Sequence, residues 1–184
     1  MKYIKSLIVL FSLFITVATV AQERILWRSW EDVQRLSVDE PRKLIVDVYT
    51  DWCKICKKMD AHTFKNPEVV SYINENYYAI RFDAEYKEDI IFKGTKYEYV
   101  GNSKQGYHQL AAHILNESMK YPTTVFLNES LGILQPLPGY LDTGTMMMIL
   151  TFFGENHHKT TRWKRYEKMY RQRGMYAQPV NNKD

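Results

Sequence analysis

The chain has 184 residues, 45% of them hydrophobic and 14% aromatic, with only two cysteines; this is ample apolar material for one compact domain whose core needs no covalent staple. Its formal charge of +4 is uneven: residues 157–184 hold eight Lys/Arg against Glu167 and Asp184, and Lys2 and Lys5 supply two more, which leaves residues 22–156 net acidic at −4. An acidic body with a basic end excludes a nucleic-acid footprint on the domain itself.

Lys2 and Lys5 precede an uninterrupted apolar run over residues 6–20, with the small residues Thr19 and Ala21 just before Gln22. That pattern predicts a signal peptide over residues 1–21, cleaved before Gln22. The run falls short of the roughly 20 apolar residues of a bilayer span, so an uncleaved anchor is the minority reading. No cysteine stands at the junction, which argues against a lipid anchor. Export sets the redox context, because disulfides persist outside the cytosol.

SWEDVQRL, with Ser29 three residues before Asp32, predicts a capped first helix that stops before Pro41. KLIVDVY is a nearly continuous apolar run, the pattern of a strand buried on both faces, interrupted by Asp47 alone. TDWCKICKKM follows with Cys53 and Cys56; by spacing alone the pair is equally a redox site, a staple or half of a metal site. Asn66 and Pro67 open a helix through Val69, Val70 and Ile73, and YYAIRFD reads as a second buried strand. Residues 84–104 are irregular and Tyr-rich, and read as a long loop or insertion.

Tyr107, Leu110, Ala111, Ile114 and Leu115 then follow helical spacing. PTTVFLN, a turn at ESLG and ILQPLPGY read as two strands, the second demoted to an edge by Pro136 and Pro138. Asp142 or Thr143 caps a last core helix ending at Gly154, in which Met146, Met147 and Met148 fill the core. Trp163, Tyr166 and Tyr170 form a stripe among basic residues, an amphipathic helix that docks on its own domain or, as the weaker alternative, touches an anionic membrane surface. The element order implies an α/β fold, a central mixed sheet of about four strands flanked by helices. The expected division is a domain over residues 22–156, with its insertion at 84–104, and a basic helix and tail over 157–184.

These residues resemble the thioredoxin superfamily. IVDVYTDWCKICKKM is similar to that family's buried strand, Trp-Cys-x-x-Cys turn and following helix, and YPTTVFLNESLGIL to its cis-proline strand and hairpin. Gly139 falls where the family has a glycine before its last helix. The resemblance covers residues 43–153. It is closest in look to secreted bacterial thioredoxin-like proteins and to the C-terminal periplasmic domain of the thiol:disulfide interchange protein DsbD, whose members often run WCxxCKxM followed by TFxNPEV.

The resemblance implies thiol:disulfide exchange without an organic cofactor, and each residue has a chemical reason. Cys53 stands at a strand-to-helix junction, where free N–H groups and the helix dipole stabilise its thiolate as nucleophile. Cys56, one turn inside, is the resolving thiol and holds its proton more tightly. Asp47, six residues before Cys53, is costly in so apolar a strand; the family's acid there assists proton transfer at the second cysteine, whereas the plainer reading is a strand acid bonded to backbone. Pro122 is the family's cis-proline, preceded by Tyr121, whose backbone would pair with substrate. Trp52 lines the substrate surface.

Two departures bear on redox behaviour. Lys54 and Ile55 stand between the cysteines in place of Gly-Pro, and Lys54 further stabilises the thiolate, which predicts a couple more oxidising than thioredoxin. The lysine that often pairs with the buried acid has no clear counterpart near Ala79. Metal binding lacks ligands, because a structural zinc wants four: the candidates are His62, on the same predicted helix as Cys56 at a spacing often met by chance, His108 and His113, which read as surface or core residues, and the pair His157 and His158. The reading from another class is a thioredoxin-fold binding module whose disulfide stays closed. The expected partners are protein thiols and disulfides and an upstream periplasmic or membrane electron donor or acceptor. The expected location is the periplasm or the exterior, with reduction slightly favoured over oxidation.

Overall fold

The computed structural model describes residues 23–102, 106–172 and 174. The predicted leader lies outside the described residues, as does the tail beyond residue 174. Among the described residues, no helix is long and apolar enough to cross a membrane.

Helix α1 (Trp30–Asp39) starts at Ser29, whose Oγ accepts the Asp32 N–H at 3.0 Å, as the capping pattern predicts. Strand β1 (Lys43–Tyr49) leads through the cysteine turn into α2 (Lys54–His62). Next come α3 (Pro67–Asn76), capped by Asn66 with Pro67 at its first position, and β2 (Tyr77–Asp83). After the insertion, α4 (Gln109–Ile114) precedes β7 (Thr123–Leu127) and β8 (Ile133–Pro138), and α5 (Thr143–Gly154) closes the core, capped by Asp142.

The main sheet has the order β2-β1-β7-β8, with β1 and β2 parallel and the other neighbours antiparallel. Strand β1 is therefore internal and covered on both faces, which is why it lacks alternation. Ile45 packs with Phe126 of β7, Met59 of α2, Ile73 of α3 and Leu150 of α5. Leu44, Val46 and Val48 face the other way, onto Trp30 and Val33 of α1 and Leu110 and Ile114 of α4. Pro136 and Pro138 are tolerated because β8 is the outer strand. Gly139 follows at φ +106°, a conformation open to glycine, and its N–H reaches the Pro122 carbonyl at 2.8 Å.

Two readings are corrected. Residues 84–104 are not a plain loop: β3 (Ile90–Phe92) pairs with β4 (Thr95–Tyr97), and β5 (Tyr99–Gly101) with β6 (Gly106–His108). Lys93 and Gly94, both at positive φ, make the tight turn of the first hairpin. Tyr107 belongs to β6 and not to the helix, which begins only after His108. The His108 ring caps α4, with Nδ1 accepting the Leu110 N–H and Nε2 meeting the Glu88 carbonyl, both at 3.1 Å.

Beyond a 3-10 turn at His157–Lys159, helix α6 (Trp163–Gln172) docks on α5. Tyr166 and Tyr170 are buried, the Tyr166 hydroxyl lies 2.7 Å from that of Thr151, and the Trp163 and Phe152 rings meet edge to face at 5.1 Å. The apolar stripe is thus spent on the domain itself, and the surface left outside carries Lys164, Arg165 and Lys168. Met146 and Met148 are buried, as core filling requires.

Candidate functional site

The turn after β1 is closed by the Cys53 N–H donating to the Thr50 carbonyl at 3.1 Å. Cys53 is then the N-cap of α2, and its Sγ accepts the Cys56 N–H at 3.1 Å. The sulfur thus holds the position where a helix start stabilises negative charge. Cys53 and Cys56 form a disulfide, with exposures of 6% and 3%, so Cys56 is the deeper of the two. Around this covered pair the rim is open: Trp52 is 64% and Ile55 50% exposed, and Lys54 also faces solvent.

Tyr121 arrives from far along the chain. The Tyr121–Pro122 peptide is cis, and the Tyr121 ring meets that of Trp52 edge to face at 5.9 Å. The sequence-predicted residues Trp52, Cys53, Lys54, Ile55, Cys56 and Tyr121–Pro122 therefore gather at one end of the sheet.

Asp47 is 2% exposed and shares its sheet face with Ile45, which packs against Met59, one turn beyond Cys56 on α2. This places the carboxyl under the cysteine helix. Burial raises its pKa to about 7, opposed by the charge of Arg81 and assisted by that of Asp60. A carboxyl held near neutrality exists in both protonation states where thiol exchange operates, which suits proton transfer.

Arg81 and Asp60 belong to this site, and sequence reasoning missed both. Arg81 is the register partner of Asp47 across the parallel β1–β2 ladder, and its Nε lies 3.8 Å from Asp47 Oδ2. Its Nη1 donates to Asp60 Oδ1 of α2 at 3.1 Å, and the guanidinium covers the Tyr49 ring at 4.7 Å. A basic partner for the buried acid is therefore present, two residues beyond Ala79. The signal was the register: two seven-residue strands paired end to end set the fifth residue of KLIVDVY against the fifth of YYAIRFD.

His62 and His113 are exposed, and among the described residues no group of three or more His, Cys, Asp or Glu is placed to hold a metal ion.

Comparison with known proteins is consistent with this geometry. A family model described as "Protein of unknown function, DUF255" (Thioredox_DsbH) matches residues 7–137. A curated relative, the thiol:disulfide interchange protein DsbD of Photorhabdus laumondii, is 28% identical over 64 residues, which is 33% of this chain and 11% of that protein. The chain thus spans about a tenth of that relative's length. Among solved structures, a thioredoxin-fold protein from Helicobacter pylori superposes with a TM-score of 0.53 at 20% identity, covering 72% of this chain and 81% of its own. A thioredoxin from Thermus thermophilus gives 0.52 at 17%, covering 77% and 100%. A DsbH oxidoreductase gives 0.51 at 14%, covering 72% and 86%. At these identities the likeness is one of fold, and the fold is that of thioredoxin.

Proposed function

The chain belongs to the thioredoxin-like family described as DUF255, and from that premise we propose that it is an exported thiol:disulfide oxidoreductase acting on protein thiols and disulfides. The observation that carries this reading is the Cys53–Cys56 disulfide at the start of α2, with the Cys53 sulfur on the Cys56 N–H and Asp47 buried beneath the same helix.

In the reducing direction, the Cys53 thiolate attacks one sulfur of a substrate disulfide, and the other substrate sulfur leaves as a thiolate. Asp47 accepts the Cys56 proton, and the Cys56 sulfur attacks Cys53 Sγ. The mixed disulfide breaks, the substrate leaves with two thiols, and the Cys53–Cys56 bond closes. A periplasmic or membrane electron donor then restores the dithiol; the same steps in reverse make an oxidase. Tyr121 and Pro122 shape the edge along which the substrate lies, beside Trp52, Lys54 and Ile55. The two thiols carry the electrons, so the chemistry calls for no organic cofactor and no metal. Reduction is slightly favoured by the likeness to DsbD, while Lys54 pulls toward oxidation. Export rests on the sequence pattern of residues 1–21, and retention of that leader would make the protein membrane-anchored.

Insulin reduction by dithiothreitol tests the activity: the wild type accelerates it and Cys53→Ser does not. Trapping with Cys56→Ser leaves substrates covalently attached through Cys53, and their identities give the direction. The low exposure of Cys53 favours one rival, a scaffold whose disulfide stays closed; equal inertness of wild type and Cys53→Ser toward insulin would establish it instead.

A further inference from the structure

Trp52 is 64% exposed, so burial does not hold it. Two contacts do. Its ring lies against Tyr121, and its indole Nε1–H donates to Glu85 Oε1 at 3.1 Å. A hydrogen bond to a carboxylate is among the stronger ones available to a neutral donor.

Glu85 is the second residue of the insertion, and its own backbone is fixed. The Ala84 N–H donates to the Tyr49 carbonyl at 2.8 Å, which prolongs the β1–β2 ladder. The Glu85 N–H donates to Asp83 Oδ1 at 2.9 Å, and the Tyr86 N–H to the Asp83 carbonyl at 3.1 Å. The far end of the insertion returns to the same point, where the His108 N–H meets the Ala84 carbonyl at 2.6 Å. The insertion thus leaves and re-enters the fold beside the cysteine turn, and its first acidic side chain reaches over to the indole.

We propose that Glu85 is a positioning residue for the substrate surface: it locks Trp52 beside Tyr121 as a fixed apolar wall next to Cys53, and that wall, with exposed Ile55, selects substrates whose cysteine carries a large apolar neighbour. This rests on the reading of the cysteine pair as an exchange site. A wall already in place gains the full benefit of apolar contact in the mixed disulfide, whereas a loose indole must first be ordered.

The test compares two disulfide-linked peptides of equal length and charge, one with Leu and one with Ser beside the cystine, as oxidants of the reduced full-length protein. The ratio of their second-order rate constants within each variant cancels changes in the thiols themselves. The wild type should prefer the Leu peptide by about tenfold, the scale set by a large apolar contact. Glu85→Ala should reduce the ratio to about threefold or less, and Glu85→Gln, which keeps an accepting oxygen, should restore most of it. The indole N–H resonance of Trp52 should move in Glu85→Ala and stay near its native position in Glu85→Gln. An unchanged ratio in Glu85→Ala despite a moved indole signal, or a wild type with no preference, overturns the proposal. A wild type that reacts with neither peptide overturns the exchange reading as well, which separates the two failures.

Discussion

Asp47 has one close charge on its own layer of the sheet and one on the helix above it. Arg81 stands opposite in the ladder, Asp60 on α2 competes for the same guanidinium, and the third strand of the row contributes only Thr124. At 3.8 Å the Asp47–Arg81 approach is an ion pair without a hydrogen bond. Asp47 Oδ1, Thr124 Oγ1 and Arg81 Nε are buried with no hydrogen-bond partner among the described residues. The carboxyl is therefore charged at real cost, and its two charged neighbours act with opposite sign. Arg81→Met removes the stabilising charge and should raise the Asp47 pKa by about one unit. Asp60→Asn removes the repelling carboxylate and frees Arg81 for Asp47, and should lower it. Carboxyl carbon NMR titration of the two variants checks both directions; shifts of the same sign would contradict the shared-guanidinium geometry.

Helix α2 sets a property of the site, and helix α6 one of the fold. Lys54 lies at the exposed first position of α2, next to the sulfur that caps the helix. Its charge adds to the helix dipole, so Lys54→Ala should make the couple more reducing, and glutathione equilibration should place the wild type above thioredoxin, at about −270 mV, and the variant below the wild type. Helix α6 matters through packing. Tyr166→Ala empties a buried aromatic site and should cost about 3 kcal/mol in urea unfolding, while Tyr166→Phe, which keeps the ring and gives up the hydroxyl contact with Thr151, should cost about 1 kcal/mol. The legibility of each element followed the same physics. Strands β1 and β2 announced themselves because burial on both faces demands apolar runs, and α1, α3 and α5 because their caps are chemically specific. The four insertion strands did not, since three-residue strands carry no period to read. Within the site, the cysteines and Asp47 stand out by residue type. Arg81 and Glu85 join it only through ladder register and a turn, which no local pattern encodes.

Across the whole molecule, the buried titratable groups pull stability in opposite directions with pH. Burial raises Asp47 from an ordinary 3.8 to about 7, so the folded state binds its proton more tightly. That contribution is complete below pH 3.8 and is lost as pH rises through about 7, amounting to roughly 4 kcal/mol over the window. Asp83, also raised by burial, acts in the same sense. Burial lowers the pKa of His108 and of His158. Their contribution is present above the ordinary 6.5 and is lost as pH falls through their depressed values. Between pH 7 and pH 4 the two sets oppose, and the native stability profile should be flatter than either alone. Asp47→Asn removes the acid's half, so urea midpoints should fall more steeply on acidification than in the wild type. His108→Asn keeps an oxygen to accept the Leu110 N–H and should tilt the profile the other way. Parallel profiles for wild type and Asp47→Asn would mean that the carboxylate stays charged throughout, and its use as the proton acceptor for Cys56 would fall with that result.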